Sequence, residues 1–274
     1  MSQACRLLNV SRSGYYAAKT TTKRQKICVA SVHLKAAFAQ SQQTFGSRRL
    51  RTEMHKKGIR IGRYKIRRLM REARLVPVWK RKFVNTTDST HTLPVADNLL
   101  NRQFNPEHPN QAWAADITYI RTHEGFAYLA VVLDLFSRRV VGWAMQGRQT
   151  TNVVLQALLA AVWRRKPKNR VLVHSDQGSQ FTSMEWASFL KHHNLEPSMS
   201  RRGNCHDNAV AESFFNLLKR ERIRRKVYRT RAEARQDVFD YIEMFYNPTR
   251  KHARNGMLSP VEFERQHKTQ SEGV

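Results

Sequence analysis

Residues 112–147 read AWAADITYIRTHEGFAYLAVVLDLFSRRVVGWAMQG, and this stretch decides the fold. It holds three runs rich in β-branched and aromatic residues, joined by short connections, which is typical of adjacent antiparallel strands. A helix is predicted next, at 151–165, because leucine and valine recur there at helical spacing. The apolar run RVLVHSD at 170–176 then predicts a short strand that is buried on both faces.

Further helices are predicted at 184–193 and from 208 to about 225, with a short strand at 196–200 between them. Strands and helices in this order predict an α/β domain with a mixed sheet. Thr230 and Glu233 match a capping box that opens a C-terminal helix. A last short helix is predicted at Ser259-Pro260.

The charge of the chain indicates a polyanionic partner. The 274 residues carry a formal net charge of +28, and nucleic acid is the partner that matches it. A membrane is not expected, because no apolar run has transmembrane length. The polar N-terminus does not resemble a signal peptide, and three cysteines at distant spacings suggest no disulfide framework, so we expect a cytoplasmic protein.

The N-terminal third is the most basic part, since residues 1–100 hold 22 Lys and Arg against 4 Asp and Glu. Two helix-turn-helix units are predicted there, one near the N-terminus with Ser11 as a cap and one at 45–75. In the second unit Ser47 is the expected N-cap and Gly58 the expected C′ residue. A helix from Arg63 presents a row of cations that can reach phosphates, although a solvated basic face is the simpler alternative. The row consists of Arg63, Lys65, Arg67, Arg68 and Arg71.

Three carboxylates stand at unusual places on this map. Asp116 lies in the middle of the first strand, Asp176 ends the buried strand, and Glu212 lies in the first turn of the long helix. Each alone has an ordinary explanation, as an arginine partner, a turn residue or a favourable charge at a helix start. One mixed sheet can bring all three together, where they would repel each other unless cations lay among them, and Mg²⁺ fits that need. Lys219 lies two turns after Glu212 on the same helix face.

The motifs ADITYI and HSDQGSQF, with 35 residues between Asp176 and Glu212, resemble the DDE triad of retroviral-integrase-like transposases. More closely, the chain resembles the OrfB-type transposases of the IS-three family of bacterial insertion sequences. The blocks FGSRRLRTEMHKKGI, LDLFSRRVVGW, SRRGNCHDNAVAESFF and YNPTRKHARNGMLSPVEF all match that family, so the resemblance spans most of the chain. Phe45 and Ser47 depart from it, since the family pattern leads us to expect Tyr and a Tyr- or Arg-like residue there.

The resemblance implies an RNase H-like catalytic core in which Asp116, Asp176 and Glu212 hold two Mg²⁺ ions, with Mn²⁺ as the alternative. It also implies that Lys219 holds the terminal nucleotides of the element. The expected activity is metal-dependent cleavage at insertion-sequence ends followed by strand transfer. Two alternatives remain, a helix-turn-helix regulator with an inert RNase H-like domain and a nuclease or junction resolvase that cuts without joining.

Four segments are predicted along the chain. A basic helix-turn-helix DNA-binding region spans 1–85, a linker 86–105, the catalytic core 106–227 and a C-terminal helical extension 228–274. The expected partners are double-stranded DNA of the element ends and the target, and further copies of the chain. No long leucine heptad is present, and the resemblance implies that the product of the upstream frame, or a fusion with it, is a further partner.

The basic N-terminal third generates a prediction about salt. If six to ten of its cations contact phosphates, affinity for duplex DNA falls roughly 10³- to 10⁵-fold between 50 and 200 mM salt. Fluorescence anisotropy with a labelled duplex across this range measures the dependence. An affinity that is constant across the range would contradict phosphate binding by this region.

Overall fold

The structure, a computed structural model, describes residues 2–7, 9–20, 28–78, 95–201 and 205–272. Residues 86–94 of the predicted linker and 79–85 of the predicted DNA-binding region lie outside these ranges. Within the described N-terminal ranges the chain forms short helices only. They are α1 (Ser2–Leu7), α2 (Arg12–Thr20), α3 (Val29–Gln40), α4 (Ser47–Lys56) and α5 (Arg63–Glu72).

The middle of the chain forms a five-stranded sheet in the order β3-β2-β1-β4-β5. The first three strands are antiparallel neighbours, and β4 and β5 continue the sheet in parallel beyond β1. The predicted mixed-sheet α/β core with an N-terminal helical region is therefore confirmed. The strands are β1 (Ala112–Thr122), β2 (Gly125–Asp134), β3 (Val140–Gln146), β4 (Val171–Ser175) and β5 (Leu195–Met199).

Helices cover both faces of the sheet. Side chains alternate between the two faces along each strand, so each face packs against its own set of helices. On β1, Trp113 and Ala115 join one apolar cluster with α6 (Thr151–Arg165) and α7 (Met184–His192). Ala112 and Ala114 join the other cluster with α8 (Ala209–Glu221), α9 (Arg231–Phe239) and its continuation. The central strands therefore carry nearly continuous apolar sequence.

The C-terminal segment packs on the sheet. Thr230 caps α9, with its hydroxyl accepting from the Glu233 N–H at 3.1 Å, as the capping box predicts. The helix continues as a π-helical turn, Asp240–Tyr246, whose Tyr241 and Phe245 are buried in the same cluster as β1 and α8. A final helix, α10 (Pro260–Glu272), follows.

A separate apolar cluster holds α3, α4 and α5 together, with Leu34, Leu50 and Ile66 fully buried. No sequence-based prediction covers α3. Gly58 has φ +76°, as expected for a C′ glycine, but the N-cap of α4 is Gly46 and Ser47 is the first helical residue. The expectation that Ser47 caps this helix is wrong, because its hydroxyl makes no cap hydrogen bond there.

Polar contacts attach this helical unit to the rest of the molecule. Lys251 contacts Glu53 at 3.2 Å, and Lys56 contacts Glu262 at the same distance. Arg222 donates to the Gln42 side chain at 2.8 Å. The helical unit is therefore positioned against α8, the C-terminal segment and α10.

The closest approach of helix to sheet occurs at Gly142 of β3. A Cβ there would lie 2.6 Å from the Ala161 nitrogen and also against the Ala157 carbonyl of α6, closer than atoms can approach. Only a glycine fits between this strand and this helix without moving backbone.

Gly142→Ala is therefore expected to lower the free energy of unfolding by about 1–3 kcal/mol or more through overpacking. The matched control is Gly62→Ala, where a Cβ meets nothing within 4 Å, and the expected change is below about 1 kcal/mol. Urea unfolding followed by circular dichroism measures both. Equal effects of the two substitutions would contradict the close strand–helix approach.

Candidate active site

Asp116 lies in the middle of β1, half-buried in the sheet. Its neighbours Ala114 and Ala115 are buried on opposite faces, and Asp116 lies on the face of Ala114, which α8 covers. One carboxylate oxygen accepts from the N–H of Ile117 at 2.7 Å. Strand β1 therefore carries a carboxylate at a position where an apolar residue is usual.

Asp176 follows the last residue of β4. The parallel register pairs Ala112 with Leu172 and Ala114 with His174, and continued by two residues it places Asp176 beside Asp116. An Asp176 carboxylate oxygen accepts from the Gly178 N–H at 3.0 Å, which closes a tight turn. The turn directs the chain away from the sheet at the carboxyl end of β4.

Glu212 lies in the first turn of α8. Ala211, Phe214 and Leu218 are buried against the sheet, so Glu212 points away from the apolar core. Val210 and Leu217 are half-buried and pack against the same apolar cluster. Lys219, two turns after Glu212, is half-buried as well.

The electrostatics of Asp116 connect these residues. Burial raises the pKa of Asp116 well above its usual value, and the charges of Asp176 and Glu212 raise it further. Lys219 acts in the opposite direction on the same pKa. The fold thus brings Asp116, Asp176, Glu212 and Lys219, distant in sequence, within electrostatic reach of one another.

Lys219 is itself held in a defined place. Its ammonium lies 5.1 Å from the ring centroid of Tyr119, a cation–π contact next to Asp116 on β1. Burial and the nearby Arg224 lower the pKa of Lys219, while the charge of Asp116 raises it. The single positive charge of Lys219 therefore lies beside the three carboxylates and does not balance all of their negative charge.

The donor set fits a hard divalent cation. All three carboxylates offer oxygen ligands, which Mg²⁺ prefers, and their mutual repulsion favours a bound cation. Within the described ranges no three His, Cys, Asp or Glu side chains already form a metal cage. Mg²⁺ binds through one or two carboxylates together with water and substrate phosphates, so such a cage is not required.

The polar residues around Asp176 hydrogen-bond the loop. His174 is buried between the hydroxyls of Ser198, at 2.9 Å, and Ser200, at 3.1 Å. Burial lowers the pKa of His174 to about 4, so the ring is neutral near pH 7. Gln177 donates to the Ser200 carbonyl at 2.9 Å, which ties the turn to β5.

Asp207, just before α8, is a positioning residue that the sequence signals only weakly. Its carboxylate accepts from Arg201 at 2.9 Å, Arg102 at 2.8 Å and the Asn98 side chain at 2.9 Å. These hydrogen bonds hold the pKa of Asp207 well below its usual range. They join the start of α8, and with it Glu212, to the end of β5.

The predicted DNA-contacting cations lie apart from the carboxylates, in the N-terminal helical unit. Their apolar neighbours Ile66, Leu69 and Met70 are buried, which leaves the cations on the outer side of α5. Arg63 is half-buried, and four are exposed: Lys65, Arg67, Arg68 and Arg71.

Asp134, outside the carboxylate cluster, is fully buried and pairs with Arg165, which supports a structural role for it.

In the described part of the chain, no helix is both long enough and apolar enough to cross a membrane.

Three family models match the chain. An integrase core domain model matches residues 106–205, an HTH-like domain model matches 29–83, and a second integrase core domain model matches 212–267. The second and third carboxylates thus fall in different models, since Asp176 lies in the first and Glu212 opens the second.

Two bacterial proteins are similar over nearly the whole chain. Transposase InsF for insertion sequence IS3A of Escherichia coli is 43% identical over 265 residues, covering 95% of this chain and 92% of the relative. The insertion element IS600 uncharacterized 31 kDa protein of Shigella sonnei is 41% identical over 262 residues, covering 94% and 96%.

Similar solved structures include retroviral integrases. The catalytic core domain of BIV integrase aligns with a TM-score of 0.44 at 17% identity, covering 60% of this chain and 99% of that one. The HTLV-2 integrase catalytic core domain in complex with magnesium, in its dimeric form, aligns with a TM-score of 0.35 at 21% identity, covering 41% and 70%.

The hydrogen bonds of Asp207 generate a pH-dependent prediction. Asp207→Asn is expected to lower the free energy of unfolding by about 1–3 kcal/mol near neutral pH, because the partly exposed Arg201 and Arg102 lose a charged hydrogen-bond acceptor. The folded pKa is depressed, so this stabilisation is present above the unfolded pKa of about 3.9 and is lost as the pH falls through the folded value.

Urea unfolding at pH 6, 4 and 3 measures this difference, which is expected to shrink on acidification. Asp97→Asn, at an exposed carboxylate next to Asn98 in the sequence, is the matched control with an expected change within about 0.5 kcal/mol. A loss for Asp207→Asn that is the same at all three pH values would contradict the ionic role.

Proposed function

Because this chain belongs to the family of IS3-type insertion-sequence transposases, we propose that it is itself a DNA transposase. In this proposal it cleaves DNA at the ends of its insertion sequence and joins the freed ends to target DNA. The single observation that carries the proposal is the convergence of Asp116, Asp176 and Glu212 within an integrase core.

Asp116, Asp176 and Glu212 act as the metal ligands in this proposal. The raised pKa of Asp116 supports it, because a group that resists ionisation beside two other carboxylates gains from a bound cation. Two Mg²⁺ ions are the proposed occupants, and Mn²⁺ is the alternative. When bound, such ions supply the positive charge that an in-line displacement at phosphorus requires.

The protein contributes the rest of the catalysis by positioning the reacting groups. The turn at Asp176 and the strand at Asp116 are both fixed by backbone hydrogen bonds, so their carboxylates need little reorganisation during the reaction. Water is the first nucleophile, which frees a 3′-OH at the element end. That 3′-OH then attacks a phosphodiester of the target, and no covalent protein intermediate is needed.

Lys219 contacts the terminal nucleotides of the element in this proposal. Its support is the position of the ammonium, which is near Asp116 and lies over the exposed Tyr119 ring. A lysine is a compact charge that suits a phosphate oxygen. The partly retained positive charge beside the metal ligands would draw the scissile strand toward them.

Each segment of the chain has its own role in this proposal. Residues 1–85 bind duplex DNA through the cations of α5, and residues 86–105 link this region to the core. Residues 106–227 carry out catalysis, and residues 228–274 support the core. Arg63, Lys65, Arg67, Arg68 and Arg71 are proposed to contact phosphates, and their placement outside the apolar cluster supports this.

The active form is proposed to be a multimer of this chain, with the product of the upstream frame as a further partner. Transposition of an insertion sequence needs both of its ends held together, which one copy of the site cannot do alone. The proposed place of action is the nucleoid in the bacterial cytoplasm.

The triad generates the central prediction. Asp176→Asn and Glu212→Gln are each expected to reduce Mg²⁺-dependent cleavage by roughly 10³-fold or more, since each removes a carboxylate charge that would hold the metal ions, whose positive charge stabilises the transition state. The matched control is Glu185→Gln, an exposed carboxylate on α7, which is expected to leave the rate unchanged. Labelled oligonucleotides that carry the element end report nicking and strand transfer in one gel assay.

The same assay separates the alternatives. A DNA-binding regulator with an inert core would bind the oligonucleotide without metal-dependent nicking, and a nuclease would nick without joining. Full activity of purified Asp176→Asn would overturn the assignment of the metal ligands.

A further inference from the structure

A cleft of about 750 Å³ lies between the N-terminal helical unit and the core. The start of α4 lies on one side of it, and α8 with the segment 250–257 lies on the other. Its volume falls in the range of about 300–1,000 Å³ that proteins use for small ligands. Neither the metal ligands nor Lys219 line it.

Arginines dominate both walls of the cleft. From the N-terminal helical unit come Arg48, Arg49, Arg63 and Arg67. From the core and the C-terminal segment come Arg138, Arg220, Arg250 and Arg254. Among its described lining residues there is no Asp or Glu, although Glu221 behind the wall pairs with Arg250 at 2.7 Å and lies 3.7 Å from Arg220. Arginines therefore outnumber carboxylates at the cleft.

Three nitrogens of the core-side wall lack a hydrogen-bond partner. They are Arg138 Nη1, Arg220 Nε and His252 Nε2, all buried, and none has a partner among the described residues. Buried polar groups are nearly always hydrogen-bonded in folded proteins, so the protein itself satisfies the polar groups of this wall incompletely.

The pKa values agree with a shortage of negative charge. Burial and the charge of Arg250 lower the pKa of Arg49 to about 10. Burial and the charge of Arg254 lower the pKa of Arg138 to about 10. Helix α4 adds to the positive potential, because it begins at the cleft with Gly46 as an N-cap and no side-chain acceptor.

The core-side wall also has apolar parts. Val210 and Leu217 of α8 are half-buried there, and Phe214 and Tyr246 complete the surface. A bare phosphate would leave this surface in water. A nucleotide chain offers both chemistries, phosphates for the arginines and bases for the apolar wall.

We propose that this cleft binds a single DNA strand, with the phosphodiester backbone on the arginines and the bases against the apolar part of α8. The inference rests on the proposed function, because it extends the path of the DNA. A single strand is favoured over a duplex, because its unpaired bases can lie against the apolar wall. The sequence of segment 79–94 does not match the charge of the cleft, since it carries Lys80, Arg81 and Lys82 against Asp88.

The cleft and the carboxylate site share helix α8. Val210, Ser213 and Leu217 line the cleft at helical spacing, whereas Glu212 and Lys219 lie on the opposite side of the same helix. A strand held in the cleft therefore runs beside the helix that carries the third metal ligand. Arg63 and Arg67 of the α5 row contribute to this cleft, so the two DNA-contacting surfaces are continuous.

The test uses one arginine from each wall, in the full-length chain. Arg48→Ala/Arg220→Ala is compared with wild type by anisotropy of a labelled mixed-sequence single strand, in EDTA and across 50–200 mM salt. The expected result is at least about tenfold weaker binding, with the log–log salt slope smaller by about 1.4, which corresponds to two lost phosphate contacts on a single strand.

Two further variants serve as controls. Arg48→Lys/Arg220→Lys is expected to retain most of the salt slope, because lysine still contacts phosphate as a point charge. Arg170→Ala removes an exposed arginine at the start of β4 and is expected to leave the affinity unchanged. Circular dichroism and urea unfolding check that the double variant folds.

Unchanged affinity and slope in the folded double variant would overturn the proposal. Competition by inorganic tripolyphosphate at the same concentration as the strand would also overturn it, since the site would then serve small phosphate compounds. Because binding is measured without metal, Asp176→Asn is expected to bind the strand like wild type. An active Asp176→Asn would therefore refute the proposed metal ligands and leave this inference standing.

Discussion

The parallel pairing of β1 with β4 is the constraint on which the candidate site depends. A constant offset of 60 residues relates the paired positions, Ala112 with Leu172 and Ala114 with His174. The same offset separates Asp116 from Asp176, so the two carboxylates reach the same level of the sheet. A shift of one residue in either strand would turn one of the two side chains to the opposite face. The register of this single strand pair therefore determines whether a two-aspartate site exists.

Helix α8 must then lie at a fixed position over that level, and buried ion pairs hold both of its ends. Before its start, Asp207 joins Arg201 and Arg102. At its last residue, Glu221 is buried and bonded to Arg250 at 2.7 Å and to the Tyr241 hydroxyl at 2.7 Å. Removing one partner of a buried pair leaves an uncompensated charge, so such pairs resist displacement. The C-terminal segment, although remote from the carboxylates, thereby fixes Glu212.

The positive charge of the molecule lies in two kinds of environment. Exposed cations on α5 lie in solvent, where they repel little and meet a polyanion readily. Arginines at the cleft are partly buried, and there burial, together with the charge of neighbouring arginines, lowers the pKa of Arg49 and Arg138. The carboxylate site has the reverse imbalance, an excess of negative charge that a divalent cation would balance. In the proposed function, metal ions bound together with nucleic acid would balance both sites.

The sequence by itself determined the order of strands and helices, the two capping residues Ser11 and Thr230, and three carboxylates whose positions were unusual for their elements. Local patterns suffice for these because spacing within one element is fixed by backbone geometry. The sequence did not predict helix α3, since its apolar residues form no stripe, and it did not show that Val210 and Leu217 border a cleft. Only the tertiary structure decided these points. It also decided the register of β1 with β4 and brought together arginines that lie between residues 48 and 254 of the sequence. The reason is that burial and charge depend on which distant segments pack together.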